Sequence, residues 1–209
     1  VKTYALGFQN VLEPLGQLGH EVIWAADFSQ FVADKSVIPC QIEQIDINTN
    51  PFNKSNVTAY KQILDIIERN DIEAVMCSTP IGGALARLAA KKKDIKPVLY
   101  EAHGFLFFKG APLINQTVYK WEEKLLAHYT DILITITNED YAAAQKFKLR
   151  SGERPYLVHG AGVKVDVRVE INRTEKRRSV GVPEDAFVIV SAGELNKNKN
   201  TEVVVRSLK

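Results

Sequence analysis

The segment 97–115, PVLYEAHGFLFFKGAPLIN, constrains the fold most, because a short apolar run in it stops at a histidine and a glycine. Val98 to Tyr100 are too few apolar residues for a buried helix, and they are typical of an interior β-strand. His103 and Gly104 then follow the carboxyl end of that strand. In an open α/β sheet this end is where ligands bind. The segment therefore predicts a strand together with the edge that carries a site.

The loop after Gly104 is rich in aromatic residues. It contains Phe105, Phe107, Phe108 and Lys109 before helix signals resume at the next proline. Aromatic side chains grouped in a loop usually meet a ligand, a partner or another domain. We expect one phenylalanine to pack under the loop and at least one other to lie on the surface.

Apolar strands alternate with helices through most of the chain. We predict strands at 21–26, around Ile42 and Ile45, at 72–77, at 98–100, at 131–137 and at 156–159. Helices are predicted between them, including a long amphipathic helix marked by Leu113, Val118, Trp121, Leu125 and Tyr129, and a helix over 139–148 with Asn138 as its N-cap. This alternation is typical of a parallel sheet with helices on both sides, an α/β fold.

The pattern divides the chain into three parts. Residues 1–162 form the first domain, the charged stretch 163–186 is a connector, and 187–209 begin a second domain. In this last part we predict a strand over 187–192 and a helix that starts at Thr201. A single strand and helix cannot bury their own faces, so we expect a continuation or a borrowed surface. Because the chain starts at Val1 and opens on a helix, we also expect a strand and a glycine-rich loop to precede it.

Composition excludes several classes of protein. The formal net charge of +2 is too small to indicate nucleic acid binding. Cys40 and Cys77 lie far apart with no partner at metal-ligand spacing, so we expect reduced thiols in a cytoplasmic protein. No apolar run has transmembrane length, and no G-x-G-x-x-G follows a strand, which disfavours a dinucleotide oxidoreductase.

Four motifs in order resemble the family 4 glycosyltransferases, particularly the bacterial group that builds capsular and extracellular polysaccharide. The motifs are STPIGGALARLAAKKK, YEAHGFLFFKGAPLIN, EEKLLAHYTDILITITNEDYAAAQKFK and GVPEDAFVIVSAGELNKNKN. The resemblance implies a GT-B architecture: two Rossmann-like domains, with the acceptor on the first and a nucleotide sugar on the second. This chain resembles the first domain without its opening strand, together with the first βα unit of the second.

The resemblance also implies site residues on the donor side. His103 matches the family histidine that faces the donor sugar and is the candidate catalytic residue; the alternative is a histidine satisfied by local backbone. Lys199 matches a basic residue that contacts the diphosphate. Where the family commonly has an arginine, this chain has Glu194, and Lys197 is the substitute. No metal is needed where lysines neutralise the diphosphate, so no cofactor is expected.

Gly160 and Gly162 resemble the interdomain glycine loop that lets backbone approach the donor, and they also suit a hinge. The candidates for acceptor binding are Gly104, Phe105, Phe108 and Lys109. For Lys109 a contact to an acceptor phosphate and a solvated loop lysine are both open.

Gly82 and Gly83 could present amides to an anion, although a tight, closely packed turn explains them better. The basic runs 91–93 and 173–178 read as solvated faces, with attraction to an anionic membrane as the alternative.

The resemblance implies a retaining transfer of a sugar from a nucleotide sugar to a saccharide or polyprenyl-linked acceptor. Partners compatible with it are the cytoplasmic face of a membrane and a second copy joined through the terminal βα unit. The fragment alone is expected to be inactive, because the family's acidic donor-binding pair lies late in the second domain. Two alternatives stay open: a GT-B sugar-nucleotide epimerase and a non-catalytic binding module.

Overall fold

The structure, a computed structural model, describes residues 6–29, 38–160, 171–193, 195–196 and 199–208, with side chains from residue 11 onwards. The chain divides into two compact units, Val1–Lys164 and Val165–Lys209. Each unit is considered by itself below. None of the described helices is both long enough and apolar enough to cross a bilayer.

Parallel strands joined by helices make up the first unit, as the alternation predicts. In chain order its elements are α1 (Leu6–Gln17), β1 (Ile23–Ala26), β2 (Gln41–Gln44), α2 (Ser55–Arg69), β3 (Val75–Ser78), α3 (Pro80–Lys92), β4 (Val98–Ala102), a π-helical turn (Asn115–Tyr119), α4 (Lys120–Ala127), β5 (Ile132–Thr135), α5 (Asn138–Ala144) and β6 (Tyr156–Leu157). Strands β3, β4, β5 and β6 form one parallel sheet in that order, and β1 pairs in parallel with β2. Strand β4 is therefore an interior strand, as predicted.

The main core lies around β4 and β5. In β4 burial alternates along the strand, with Val98, Tyr100 and Ala102 buried. The core cluster around them consists of Cys77, Tyr100, Ala102, Phe105, Phe107, Ala127, Leu133, Ala144, Phe147 and Leu149. Burial raises the pKa of the Cys77 thiol to about 12, so this cysteine stays a neutral packing group. Both cysteines are free, as predicted.

A close approach between α3 and β4 fixes one glycine. A Cβ atom added at Gly83 would lie 2.5 Å from Cε2 of Tyr100, well inside van der Waals contact. The Tyr100 ring is 2% exposed and cannot easily move aside. Gly83 is therefore required by packing, the explanation that the sequence favoured over anion binding.

Behind this contact lies a buried charged pair that the sequence did not reveal. Arg87 of α3 is 1% exposed, and its Nη1 donates to Oε2 of Glu123 in α4 at 2.9 Å. The Tyr100 hydroxyl donates to the other Glu123 oxygen at 3.1 Å, and the guanidinium stacks 3.8 Å from the Tyr100 ring centre. Arg87 Nε also donates to the Gly83 carbonyl at 2.9 Å. The network joins two helices to the central strand.

The helix that follows the aromatic loop runs through the π-helical turn into α4 and turns its apolar side outward. Amphipathic helices ordinarily bury that side. Here the residues that mark the pattern are exposed, with Leu113 at 80%, Val118 at 53%, Trp121 at 67% and Leu125 at 42%. The buried residues of α4 are instead Glu123, Leu126 and Ala127. The pattern predicts the helix but not which side faces the protein.

The second unit departs from the predicted βα start. Residues 186–193 form no strand, and Phe187 is 91% exposed. A strand exists only when it is hydrogen-bonded to a neighbour, and no described segment of this unit pairs with it. The helix α7 (Thr201–Arg206) is present, and a further helix, α6 (Arg173–Ser179), lies inside the predicted connector. The proposed domain boundaries stay a prediction.

Substituting Gly83→Ala should destabilise the first unit by about 1–3 kcal/mol, the usual cost of overpacking a core. The added methyl group meets the immobile Tyr100 ring. The matched control is Gly16→Ala in α1, where no atom lies within 4 Å of the added Cβ. That control should be neutral or stabilising, because alanine is the better helix former. Urea denaturation measures both, and equal effects would contradict the packing role.

Substituting Glu123→Gln should cost about 3–5 kcal/mol, because it leaves the Arg87 charge buried without its counter-ion. The neighbouring Glu122→Gln is the matched control, since Glu122 makes no ion pair with a described residue. We expect Glu122→Gln to change the free energy of unfolding by less than about 0.5 kcal/mol. A Glu123 variant as stable as the control would show that the buried pair contributes little.

Candidate functional site

His103 lies directly after β4, at the carboxyl edge of the sheet where the sequence places it. Its Nε2 lies 3.4 Å from Oε2 of Glu101, and the side chain is 46% exposed. Nδ1 makes no hydrogen bond to a described residue. The imidazole is therefore tethered on one side and open on the other, rather than satisfied by local backbone.

The Glu101 carboxylate stabilises the protonated form of this histidine. Its hydrogen bond raises the pKa of His103, an effect that partial burial opposes without cancelling. The protonated form therefore persists to higher pH than in a free histidine. Protonated His103 can donate a hydrogen bond to, and place positive charge beside, a molecule at the sheet edge.

Acidic groups in the first turn of α5 hold the aromatic loop. Asp140 Oδ1 accepts from the Phe105 amide at 3.1 Å, and Glu139 Oε1 accepts from the Lys109 amide at 2.7 Å. The N-cap of α5 is Thr137, which accepts from the Asp140 amide, so the prediction of Asn138 as the cap is wrong by one residue. The spacing of threonine and aspartate resembles a capping box, a signal that was present in the sequence. The helix also ends at Ala144, earlier than predicted.

The loop phenylalanines divide between core and surface. Phe105 and Phe107 are buried and stack with ring centres 4.8 Å apart, both beside Phe147. Phe108 is 51% exposed. The expectation of packed and exposed rings is confirmed, and the ring that can meet a molecule in solution is Phe108. Lys109 is also exposed.

A small cavity lies at the base of this loop. Its volume is about 30 Å³, room for about one water molecule. Its lining residues are Pro51, Pro80, Ile81, Gly104, Phe105, Leu106, Tyr119, Glu122 and Glu123. Partial burial, followed by the nearby Glu123 charge, raises the pKa of Glu122. The cavity is too small for a sugar ring, but Glu122 and Gly104 both line it.

Unusual backbone conformations cluster at the same sheet edge. Gly104 has φ +131°, which glycine adopts without strain. Thr79, between β3 and α3, has φ +67° and ψ 153°, a conformation that costs energy in a β-branched residue. Nothing in the sequence signalled Thr79. Strain of this kind concentrates at functional sites, which supports the carboxyl edge as the site.

Of the residues predicted for the donor side, the structure describes Gly160 and Lys199. Gly160 follows β6 with φ +84°. Lys199 is exposed in the second unit, where its amide donates to Asn196 Oδ1 at 2.9 Å. Gly162, Glu194 and Lys197 lie outside the described residues. The site predictions for these positions stay predictions.

A larger cavity, of about 330 Å³, lies within the second unit. It is lined by Ile171, Arg173, Lys176, Arg177, Val180, Val182 and Val188, and the described donor-side residues are not among them. The open imidazole of His103, with the exposed Phe108 and Lys109 in the loop after it, favours the sheet edge of the first unit as the candidate site. Among the described residues, no group of three or more His, Cys, Asp or Glu side chains could hold a metal ion.

Substituting Glu101→Gln should lower the pKa of His103, because the carboxylate that stabilises the imidazolium is removed. NMR titration of the histidine Cε1 protons measures the shift, with the His103 signal assigned from a His103→Gln variant. His128, which contacts the Lys124 carbonyl in another part of the unit, serves as the internal control. An unchanged His103 titration would show that Glu101 does not control its charge.

Comparison with known proteins adds three findings. Residues 8–161 match Glycosyltransferase Family 4. A Bacillus subtilis (strain 168) protein named "Putative glycosyltransferase EpsD" is 39% identical over 199 residues, which cover 91% of this chain. The chain spans 50% of the length of that relative.

The crystal structure of Acinetobacter baumannii MurG matches 79% of this chain and 44% of that protein, with a TM-score of 0.50 and 15% identity. At this identity the likeness shows the fold alone. It agrees with the Rossmann-like, GT-B type of α/β fold expected for the first domain. With the family match covering most of the chain, these findings show that the protein belongs to glycosyltransferase family 4.

Proposed function

We propose that the full-length protein transfers a sugar from a nucleotide diphosphate sugar to an acceptor hydroxyl, and that residues 1–162 form the acceptor side. The observation that carries the proposal is His103, open to solvent beside Gly104 at the carboxyl edge of β4 in a chain of this family. Open α/β sheets bind their ligands at this edge. The aromatic loop, held by the first turn of α5, forms one wall of the proposed site.

In the proposed reaction the bond between the anomeric carbon and the leaving diphosphate breaks, while a bond from that carbon to the acceptor oxygen forms on the same face. The configuration is thereby retained, and the acceptor proton passes to the diphosphate. The developing negative charge needs fixed cations or dipoles. Lys199, with Lys197, is proposed to supply that charge without a metal ion or other cofactor.

His103 is proposed to donate a hydrogen bond to a hydroxyl of the transferred sugar. The geometry that supports this role is the Glu101 contact, which engages Nε2 and leaves Nδ1 open. A group fixed in position before the sugar binds loses little entropy on binding, which favours the transition state. Gly104, Gly160 and Gly162 would let backbone approach the substrates closely.

For the acceptor we propose a saccharide on a lipid carrier, contacted by Phe108 and Lys109. The sequence also offered Phe105 for this contact, but its ring is buried in the core and supports the loop from beneath. The exposed Phe108 ring and Lys109 ammonium suit a ligand with a sugar face and a phosphate. We propose accordingly that the enzyme works in the cytoplasm, at the inner face of the membrane, in the synthesis of capsular or extracellular polysaccharide. Residues 1–209 by themselves are expected to be inactive.

The decisive test uses the full-length protein, a panel of nucleotide sugars and a lipid-linked acceptor. His103→Ala should lower kcat by about 100-fold or more, the usual effect of removing a positioned polar catalytic group. Lys199→Gln should mainly raise the KM for the nucleotide sugar, because it weakens binding of the diphosphate. Product formation and anomeric configuration are followed by NMR.

His20→Ala and Lys92→Gln are the matched controls, since both residues are exposed and lie outside the proposed site. Both should leave transfer unchanged. Interconversion of the nucleotide sugar without transfer would identify an epimerase instead. Binding without turnover in the complete protein would identify a non-catalytic module, and full transfer activity in His103→Ala would remove this histidine from the mechanism.

A further inference from the structure

An exposed apolar stripe runs along the helix that follows the aromatic loop. Ile114, Val118, Trp121 and Leu125 recur along it at spacings of four, three and four residues, and the π-helical turn interrupts this series. Their shared exposure, not the spacing, assigns them to the outward side of the helix. They are between 42% and 67% exposed, and Leu113 beside them is 80% exposed. Isolated exposed apolar residues are ordinary, but a continuous stripe indicates an interaction surface.

The aromatic loop extends this surface. Asn115 Nδ2 donates to the Leu106 carbonyl at 2.9 Å, which ties the loop to the start of the helix. Leu106 is 37% exposed and Phe108 is 51% exposed. The stripe therefore begins beside the proposed acceptor wall and continues away from it along the helix.

Charges around the stripe are positive on the outside. Lys109 and Lys124 are exposed and Lys120 is half-buried, and none of the three forms an ion pair with a described residue. The acidic groups of the helix are used elsewhere: Glu123 is buried with Arg87, and Glu122 lines the small cavity. The outward surface thus combines apolar residues, a tryptophan and lysines.

Two residues of each basic run that the sequence offered for membrane attraction make contacts within the protein. Lys91 Nζ donates to the Tyr129 hydroxyl at 2.8 Å, and Lys93 pairs with Glu68 at 2.7 Å. Arg177 donates to the backbone carbonyls of Pro183, Glu184 and Ala186, and Arg178 pairs with Glu184 at 3.3 Å. These contacts leave the apolar stripe as the better candidate for membrane contact.

We propose that the apolar stripe (Leu113, Ile114, Val118, Trp121 and Leu125) with Lys120 and Lys124 lies in the headgroup region of an anionic bilayer. A surface that combines exposed apolar side chains with lysines binds such interfaces: the apolar groups enter the headgroup layer and the ammonium groups meet anionic lipid. Each lysine is attracted to anionic lipid, and tryptophan favours the interface itself. The charge pattern selects a bilayer over a second copy of this chain, whose matching surface would carry the same lysines.

This surface gives the proposed function a route to its acceptor. The inference depends on that function only in naming what the membrane would deliver, a lipid-linked saccharide. A helix lying in the headgroup layer would keep the adjoining loop near the phosphate of such a carrier. The acceptor then reaches the site without leaving the bilayer.

The test is flotation of the full-length protein with vesicles of equal parts phosphatidylcholine and phosphatidylglycerol. Val118→Asp should weaken binding by at least about tenfold, the contribution of burying one valine side chain. The matched control is Val57→Asp on α2, an exposed valine of similar accessibility on another helix, which should bind like the wild type. Circular dichroism checks that both variants fold.

A second variant changes charge alone. Lys120→Gln with Lys124→Gln should weaken binding to the anionic vesicles by about 25-fold, since each basic residue near the surface contributes a factor of roughly five. Binding to pure phosphatidylcholine should change little. This variant removes no apolar contact, so it keeps the test decisive if Val118→Asp fails to fold.

Wild-type binding by Val118→Asp, or no vesicle binding by the wild-type protein, would overturn the inference. The inference also fails if Val118→Asp dissociates a dimer of the protein but binds vesicles like the wild type. The stripe would then contact a second copy of the chain and not the lipid. Transfer to a water-soluble acceptor separates the two proposals. If vesicle binding depends on the stripe but no acceptor is glycosylated, the proposed function fails and the membrane surface stands.

Discussion

The ion pair between Arg87 and Glu123 is the interaction on which the first unit depends. Two charges taken out of water offset their lost hydration only when their geometry is good and further hydrogen bonds satisfy most of their polar atoms. Here Tyr100 completes the arrangement by stacking on the guanidinium and donating to the carboxylate. Since the three residues belong to α3, α4 and β4, the pair fixes both helices against the strand that carries His103. One guanidinium nitrogen, Nη2, has no hydrogen-bond partner in the described part of the chain.

Sequence patterns located the strands of the first unit well, because short apolar runs mark buried strands. They also located the candidate site, because the residues after such a run lie at the carboxyl edge of the sheet. The interior position of β4 and the histidine after it were both predicted. The pair of Arg87 and Glu123 was not, since its members lie 36 residues apart and each looks like an ordinary surface charge on a helix. The outward-facing stripe was missed for a related reason: periodicity reveals that a helix has an apolar side, but not what covers it. The strand at 187–192 failed because pairing, not propensity, makes a strand.

The candidate site joins residues that local patterns assign to separate elements. His103 could be recognised from its place after a strand, whereas its tether to Glu101 depends on the strand's pleat, which puts alternate residues on one side. The loop that follows is held by carboxylates of α5, far along the chain. The acceptor wall is therefore built on rigid elements, although its sequence is that of a loop. The donor half has no comparable support in the described residues, which agrees with a chain that covers half of its relative.

The π-helical turn at Asn115–Tyr119 has a consequence for the helix that contains it. Such a turn is equivalent to one extra residue inserted into a regular helix. The residues before it are therefore rotated by about 100° relative to those after it, compared with an uninterrupted helix. Deleting a single residue here would restore regular winding and leave the two halves of the helix facing in their present directions, because the turn already absorbs the extra residue. A single-residue insertion elsewhere in the helix, with no such turn to absorb it, would instead rotate all later side chains by about 100°.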